Sequence, residues 1–247
     1  MRLSAWKRRA PLAMGLTLAL AASAADAYVL PAEAILGSVA RRREGATFKS
    51  LTVEGVRKHL EPDGEDIKVW EAVLPGVGHR VELRAASGTT VILTLGTKRW
   101  IYKEGEKVAP TKIKPSLITS FLGDVTAERG EGREFVKAYG IETDIVSLTR
   151  LDKTISFVIG AKPWEPNKPQ LWIDKGYRVP TRLVEVDMKT GETTDTRLTG
   201  YGSPQTGEWW PRKIEVYKAG KLVESTIYDD AHVNEPVEAS LFKPPTP

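Results

Sequence analysis

The chain has 247 residues, 41% apolar and 28% charged, a composition that fits one large β domain or two small ones and excludes long disorder. Most of its formal net charge of +4 lies in the first 27 residues, and the rest carries 32 basic and 31 acidic side chains, which excludes a nucleic-acid-binding surface. Because cysteine is absent, disulfides, thiol nucleophiles, thiolate metal sites and a cysteine-linked lipid anchor are not expected.

The first 27 residues have the three parts of a secretory signal peptide. Four basic side chains lie within the first nine residues, a small and apolar stretch runs from Ala10 to Ala25, and Ala25-Asp26-Ala27 fits a cleavage site. A membrane anchor is the alternative, but sixteen residues are short for a span that needs about 20. We therefore expect a mature chain of residues 28–247, exported to the periplasm and not lipid-anchored.

The predicted elements of the mature chain begin with a helix at Ala32–Arg43 and continue mainly as strands. After Gly45 the apolar period changes to two, as in Val91, Leu93 and Leu95, and turn residues separate the runs. Similar runs are Ile155, Phe157 and Ile159; Val184, Val186 and Met188; and Ile214 and Val216. This spacing favours an antiparallel meander.

Two short helices and one stiff loop interrupt the predicted strands. The helices are expected at Pro115–Leu122 and Gly132–Tyr139, while Lys162–Pro169 contains three prolines and cannot join a central strand. A domain boundary at this loop is the alternative. Since the strands on both sides look alike, we expect a loop within one sheet and a single domain, mainly β with a few helices.

Motifs for chemistry are missing from the sequence. His59, His79 and His232 have no metal-ligand spacing, and Gly202–Gly207 has the glycine spacing of a phosphate-binding loop but is followed by Glu208 instead of lysine. We therefore expect no catalytic residue, metal or cofactor. An envelope hydrolase with an acidic pair of residues is the enzymatic alternative.

Four stretches occur in an order that resembles one known family. They are the helix Ala32–Arg43 before a strand at Phe48–Leu60, Thr-Lys-Arg-Trp-Ile-Tyr at 97–102, Gln-Leu-Trp-Ile-Asp-Lys at 170–175 followed by Pro180-Thr181-Arg182, and Asn234–Pro245. Together they resemble the periplasmic lipoprotein-carrier family of Gram-negative bacteria (LolA type) and its lipoprotein-sorting relatives. The basic residue that these carriers often have before an early proline is absent, because Leu74 precedes Pro75.

This resemblance implies an unclosed β-barrel, a curved antiparallel sheet with a helical lid over an apolar concave cavity. The implied function is to carry acylated lipoproteins or other lipids toward the outer membrane, with an inner-membrane donor and an outer-membrane acceptor as partners. A scaffold of the same fold that senses envelope stress without lipid cargo is the alternative. The residues expected to line the cavity are Phe48, Leu51, Trp70, Ile92, Trp100, Leu117, Phe121, Leu122 and Trp172.

The segment from Leu117 to Leu122 has two possible roles. Its apolar residues at helical spacing must be buried on something, because so short a helix is stable only when it packs. It would be either a plug of the core or a lid over the cavity, and Phe121→Ala should separate the two roles.

Overall fold

A computed structural model describes residues 29–42, 48–60, 64–103, 106–107, 111–122 and 131–244. The predicted signal peptide lies outside these ranges. The helices are α1 (Ala32–Arg42), α2 (Thr119–Leu122), α3 (Glu131–Ala138) and a 3₁₀ turn at Ala239–Phe242. Within the described residues, no helix has the length and apolar character needed to span a bilayer.

Strands make up about half of the described residues, and all of them belong to one antiparallel sheet. They are β1 (Leu51–His59), β2 (Asp66–Leu74), β3 (Gly78–Ala85), β4 (Gly88–Leu95), β5 (Lys98–Lys103), β6 (Glu106–Lys107), β7 (Thr111–Lys112), β8 (Val146–Leu151), β9 (Thr154–Ile159), β10 (Gln170–Asp174), β11 (Pro180–Val186), β12 (Thr193–Thr199), β13 (Lys213–Lys218) and β14 (Lys221–Val233).

The strand order explains why helices cover the sheet. The order is β6-β5-β4-β3-β2-β1-β14-β13-β12-β11-β10-β9-β8, with β7 also paired to β5, and the described residues do not close it into a barrel. The chain therefore winds outward from β1 to one edge, crosses a face of the sheet to β8, and winds back until β14 pairs with β1. That crossing carries α2 and α3.

The first and last strands meet at an irregular pairing. The register shifts between Glu54 and Gly55, where a β-bulge lies in β14. A Cβ atom on Gly55 would collide with the carbonyl oxygen of Ile227 and approach the Cα of Tyr228 to 2.8 Å. Glycine is therefore required for the two strands to lie this close.

Register and side-chain alternation define the two faces of the sheet. Inner-face residues in register across β1 to β5 are Val53, Glu71, Val81, Ile92 and Ile101. Outer-face neighbours in the same strands are Thr52, Ala72, Arg80, Leu93 and Trp100. The helices α1, α2 and α3 pack on the inner face, and the 3₁₀ turn packs on the outer face.

Two apolar clusters occupy the inner face. The first joins α1 and α3 to β9, β10, β11 and β12, with Ile35, Phe135, Leu171 and Ile173 completely buried. The second joins β1, β2, β3 and β14 to Phe48, Leu122 and Trp210. Ile118 and Ile214 pack against both clusters, so the interior is continuous.

Most of the predicted elements are confirmed, with two corrections. The helix α2 has only four residues, because the chain at Leu117 and Ile118 forms a turn before it. Met188 lies in the turn after β11 and is exposed, so its predicted place on a strand beside Val186 is wrong. The proline-rich segment is a loop between neighbouring strands β9 and β10 of one sheet, as predicted.

Candidate functional site

A groove lies on the inner face where the sheet extends beyond the helices. Its volume is about 530 Å³, and it opens to solvent at the ends of β2, β3, β4, β5 and β6. Ile67, Leu83 and Ala85 supply its apolar surface, while Thr90 and Lys103 supply a hydroxyl and an ammonium group. The volume falls within the range of about 300–1,000 Å³ that is typical of small-molecule sites.

The apolar floor of the groove continues into the second cluster. Leu83 lines the groove and also packs against the second cluster. Ile92 packs against the same cluster and lies in β4 two residues beyond Thr90, the register partner of Leu83. Both are only half-buried, unlike Val69 and Val81 beside them. An apolar chain lying in the groove would therefore cover strand residues that solvent still reaches.

A buried polar network lies deeper on the same face. Glu71 Oε2 is 2.7 Å from His79 Nε2, and the hydroxyl of Tyr228 donates a hydrogen bond of 2.5 Å to Glu71 Oε1. The ring of Trp210 packs edge-on against both His79 and Tyr228, with centroids 6.3 and 5.6 Å away. Glu71 is four residues along β2 from Ile67, which places the network about 13 Å from the groove.

The network keeps a carboxylate charged inside the protein. Burial raises the pKa of Glu71, but hydrogen bonds and charge from His79, the Tyr228 hydroxyl and the nearby Arg57 outweigh it, so the pKa lies below its usual 4.5. Burial and the neighbouring carboxylate raise the pKa of Tyr228 well above its usual value. Tyr228 therefore stays a neutral donor, and the network is a stable polar support between three strands.

Six of the nine residues predicted to line a cavity lie on the inner face or on the segment that covers it. Phe48, Leu51, Ile92 and Leu122 belong to the second cluster or pack against it, while Leu117 and Phe121 belong to the first. Phe121 is 7% exposed, and its ring packs edge-on against that of Phe135 at 5.1 Å. The helix α2 therefore lies at the junction of the two clusters.

The other three predicted residues lie on the outer face. Trp70 and Trp100 pack with Leu93 under the C-terminal turn. Trp172 is buried, donates a hydrogen bond of 2.7 Å to Gln170 Oε1, and lies under the guanidinium of Arg182 at 4.7 Å. The structure thus divides the nine residues between two faces, and a ligand on the inner face would not contact these three.

Sequence reasoning missed the groove and the polar network, although a signal for each was present. In β2, Glu71 interrupts the series Ile67, Val69 and Val73 at a spacing of two, which marks a carboxylate on an apolar face. In β3, His79 shares a face with Leu83 at the same spacing. Alternation places these residues on one face, but only register brings β2, β3 and β14 together.

The arrangement offers binding and positioning more than reaction chemistry. Among the described residues, no group of three or more His, Asp or Glu side chains is placed to hold a metal ion. The polar atoms of Glu71 are occupied by His79 and Tyr228. The groove has polar groups from Thr90, Lys103 and Glu106 beside an apolar floor at Ile67 and Leu83, and that floor can bury the apolar part of a ligand.

Comparison with solved structures identifies the fold. A LolA superfamily protein from Nitrosomonas europaea is 16% identical, with a TM-score of 0.54 over 87% of this chain and 99% of that one. A domain assigned to outer-membrane lipoprotein sorting, from Vibrio parahaemolyticus, is 14% identical, with a TM-score of 0.54 over 85% and 97%. A DUF1329 family protein from Desulfovibrio piger is 12% identical, with a TM-score of 0.53 over 87% and 98%.

No protein-family model matches the sequence, and the comparison with curated proteins found no match. The likeness is therefore one of three-dimensional structure. The chain has a LolA-like fold, an antiparallel sheet that is not closed into a barrel, with helices on one face.

Proposed function

We propose that the protein is a periplasmic, non-enzymatic carrier that binds an acyl chain of a lipoprotein or another lipid on the inner face and moves it toward the outer membrane. The observation that carries this proposal is the groove of about 530 Å³, which continues into half-buried apolar strand residues. The LolA-like fold supports it, because solved proteins of this shape include one assigned to lipoprotein sorting.

The size of the groove limits what it holds. At about 30 Å³ for a group the size of a water molecule or a methylene, it has room for roughly 18 such groups. That suits one acyl chain but not several side by side. Each buried methylene contributes about 0.8 kcal/mol, so ten of them would give about 8 kcal/mol before the costs of binding.

We propose the segment with α2 as a fixed stop at the inner end of the groove and not as a mobile lid. It lies between the two clusters, and Leu122 packs on the cluster that the groove floor joins. A larger ligand would reach the second cluster only if this segment moved. We therefore propose α2 as the element that limits the occupied length of the groove.

Introducing a charge inside the groove tests the binding site. Leu83→Glu places a carboxylate on its floor, where burial against an acyl chain would be costly, so binding of a fluorescent acyl probe should be lost. Ile155→Glu is the matched control, because Ile155 is an exposed apolar strand residue in β9, opposite Arg150 and away from the groove. It should bind the probe like the unaltered protein.

Lipid extraction tests the function itself. Protein purified from the periplasmic fraction should carry extractable acyl lipid, detectable by mass spectrometry, and Leu83→Glu should carry much less. Protein that neither carries lipid nor binds the probe would overturn the carrier proposal and support the scaffold without lipid cargo.

N-terminal sequencing of the same sample should give Tyr28 as the first residue, whereas a retained Met1 in the membrane fraction would refute export by a cleaved signal.

A further inference from the structure

The groove changes from apolar to charged across its width. Leu83, Thr90, Lys103 and Glu106 are in register across β3, β4, β5 and β6, so they form one row on the inner face. All four line the groove. With strands about 4.8 Å apart, this row passes from an apolar group through a hydroxyl to an ammonium and a carboxylate within roughly 15 Å. The groove therefore has the polarity of an amphipathic ligand.

The apolar end of the row is the end that suits an acyl chain. Ile67 and Ala85 lie beside Leu83 in the groove lining, and Ile92 continues the apolar surface toward the second cluster. An acyl chain lying on these residues would remove their apolar surface and its own from water. The polar head of the same ligand would then lie beyond Thr90, at the charged end of the row.

The two charged side chains at that end have no partner among the residues that the structure describes. Neither the ammonium of Lys103 nor the carboxylate of Glu106 forms an ion pair or a hydrogen bond there, although their strands pair them in register. Opposite charges in register on neighbouring strands lie close enough to interact with each other or with one shared ligand. Both groups are therefore available to a ligand head.

The other charges at the mouth of the groove decide which kind of head fits. Lys58 Nζ lies 3.3 Å from a carboxylate oxygen of Asp66, so these two charges compensate each other. The carboxylate of Glu65 accepts the backbone N–H of Ala86 and keeps its negative charge near the mouth. A purely anionic head would be repelled by Glu65 and Glu106, and a purely cationic head would be repelled by Lys103. A head that carries both charges avoids the two penalties.

We propose that the groove binds a single-chain zwitterionic phospholipid, with the phosphate on Lys103 and the ammonium on Glu106. This inference rests on the proposed carrier function and names the class of its ligand. Two carbons separate phosphate from ammonium in a phosphoethanolamine head, which matches the strand spacing of about 4.8 Å between the two residues. The hydroxyl of Thr90, one strand from Lys103, can donate a hydrogen bond to the same phosphate.

Displacement of the fluorescent acyl probe from the full mature protein tests the head. Lysophosphatidylethanolamine should displace the probe at about a threefold lower concentration than lysophosphatidylglycerol of the same chain length, since an exposed ion pair contributes about that factor. Glu106→Gln should abolish this preference, because the partner of the ammonium loses its charge. Lys103→Met should weaken both lipids about threefold, because it removes the partner of the phosphate and keeps an apolar stem.

Lys189→Met with Glu192→Gln is the matched control. These residues are also exposed and three positions apart, at the turn between β11 and β12, and neither of them lines the groove. This double variant should keep the affinity for both lipids and the preference between them. All variants should keep the urea midpoint of the unaltered protein, because every altered side chain is exposed.

The outcomes separate this inference from the function on which it rests. Probe binding with equal displacement by the two lipids, or with a preference for lysophosphatidylglycerol, would overturn the zwitterionic head and leave the carrier intact. A preference that survives in Glu106→Gln would overturn it as well. Protein that binds neither the probe nor either lipid would overturn the carrier itself.

Discussion

The two halves of the inner face have the same strand pattern but are covered differently. In the half formed by β9 to β12, α1 and α3 cover the sheet, and Ile159, Leu171 and Ile173 are completely buried. In the half formed by β1 to β6, Leu83 and Ile92 remain half-buried beside the groove. The first is called the closed half and the second the open half.

The position of the groove therefore depends on the chain that crosses the sheet and not on the strands themselves. Alternation gives both halves an apolar inner face, as in Ile159 and Leu171 or Val81 and Ile92. The helices α1 and α3 pack over the closed half, whereas the short helix α2 lies at the junction and reaches the open half only through Leu122. The buried core and the groove are therefore built from the same kind of strand. They differ in whether helices pack over those strands.

Removing the largest contact in the closed half should have the largest effect on stability. Phe135 is completely buried on α3, with its ring 4.5 Å from that of Tyr139. Phe135→Ala should lower the free energy of unfolding by about 4 kcal/mol, as measured by urea denaturation. The remaining folded protein should bind the acyl probe normally, and a loss of affinity in proportion to stability would erase the distinction between the halves.

A truncation at the junction between the halves should lower the free energy of unfolding nearly as much. Phe121→Ala removes a ring packed against Phe135 and should cost about 3 kcal/mol of unfolding free energy. Because that ring faces the closed half, probe affinity should change little. A small loss of stability together with faster probe release would instead identify α2 as a mobile lid over the open half.

Removing the charge from the polar network of the open half should have an intermediate, pH-dependent effect on stability. Glu71→Gln removes the charge between His79 and Tyr228 and should cost about 2 kcal/mol at neutral pH. Because the pKa of Glu71 is lowered on folding, its stabilisation is full above the usual value of 4.5 and is lost as pH falls through the lowered pKa. Urea midpoints should therefore fall with acidification more steeply in the unaltered protein than in Glu71→Gln.

The groove floor should show the smallest effect on stability and the clearest effect on binding. Leu83 is half-buried, so Leu83→Ala should cost less than about 1 kcal/mol. It removes apolar surface from the groove and should weaken probe affinity several-fold, a combination opposite to that of Phe135→Ala. If Leu83→Ala left affinity unchanged in a probe titration, the groove would not be the acyl site.

Local pattern was enough to predict much of the fold and part of the candidate site. The helix Ala32–Arg42 was predicted within one residue, and the proline-rich loop Lys162–Pro169 was correctly placed within one sheet. Met188 was misplaced, because a strand-like alternation continued through residues that form a turn. Six of the nine predicted cavity residues reach the inner side of the sheet, and three tryptophans lie on its outer face.

Which helices and strands form follows from the sequence, because apolar period, proline and glycine act within a few residues. Alternation also determined that Val81 and Leu83 share a face. Tertiary structure alone decided which face the helices cover, since this depends on the pairing of β14 with β1 and on the path of the crossing chain. The same long-range pairing brought Glu71, His79 and Tyr228 together.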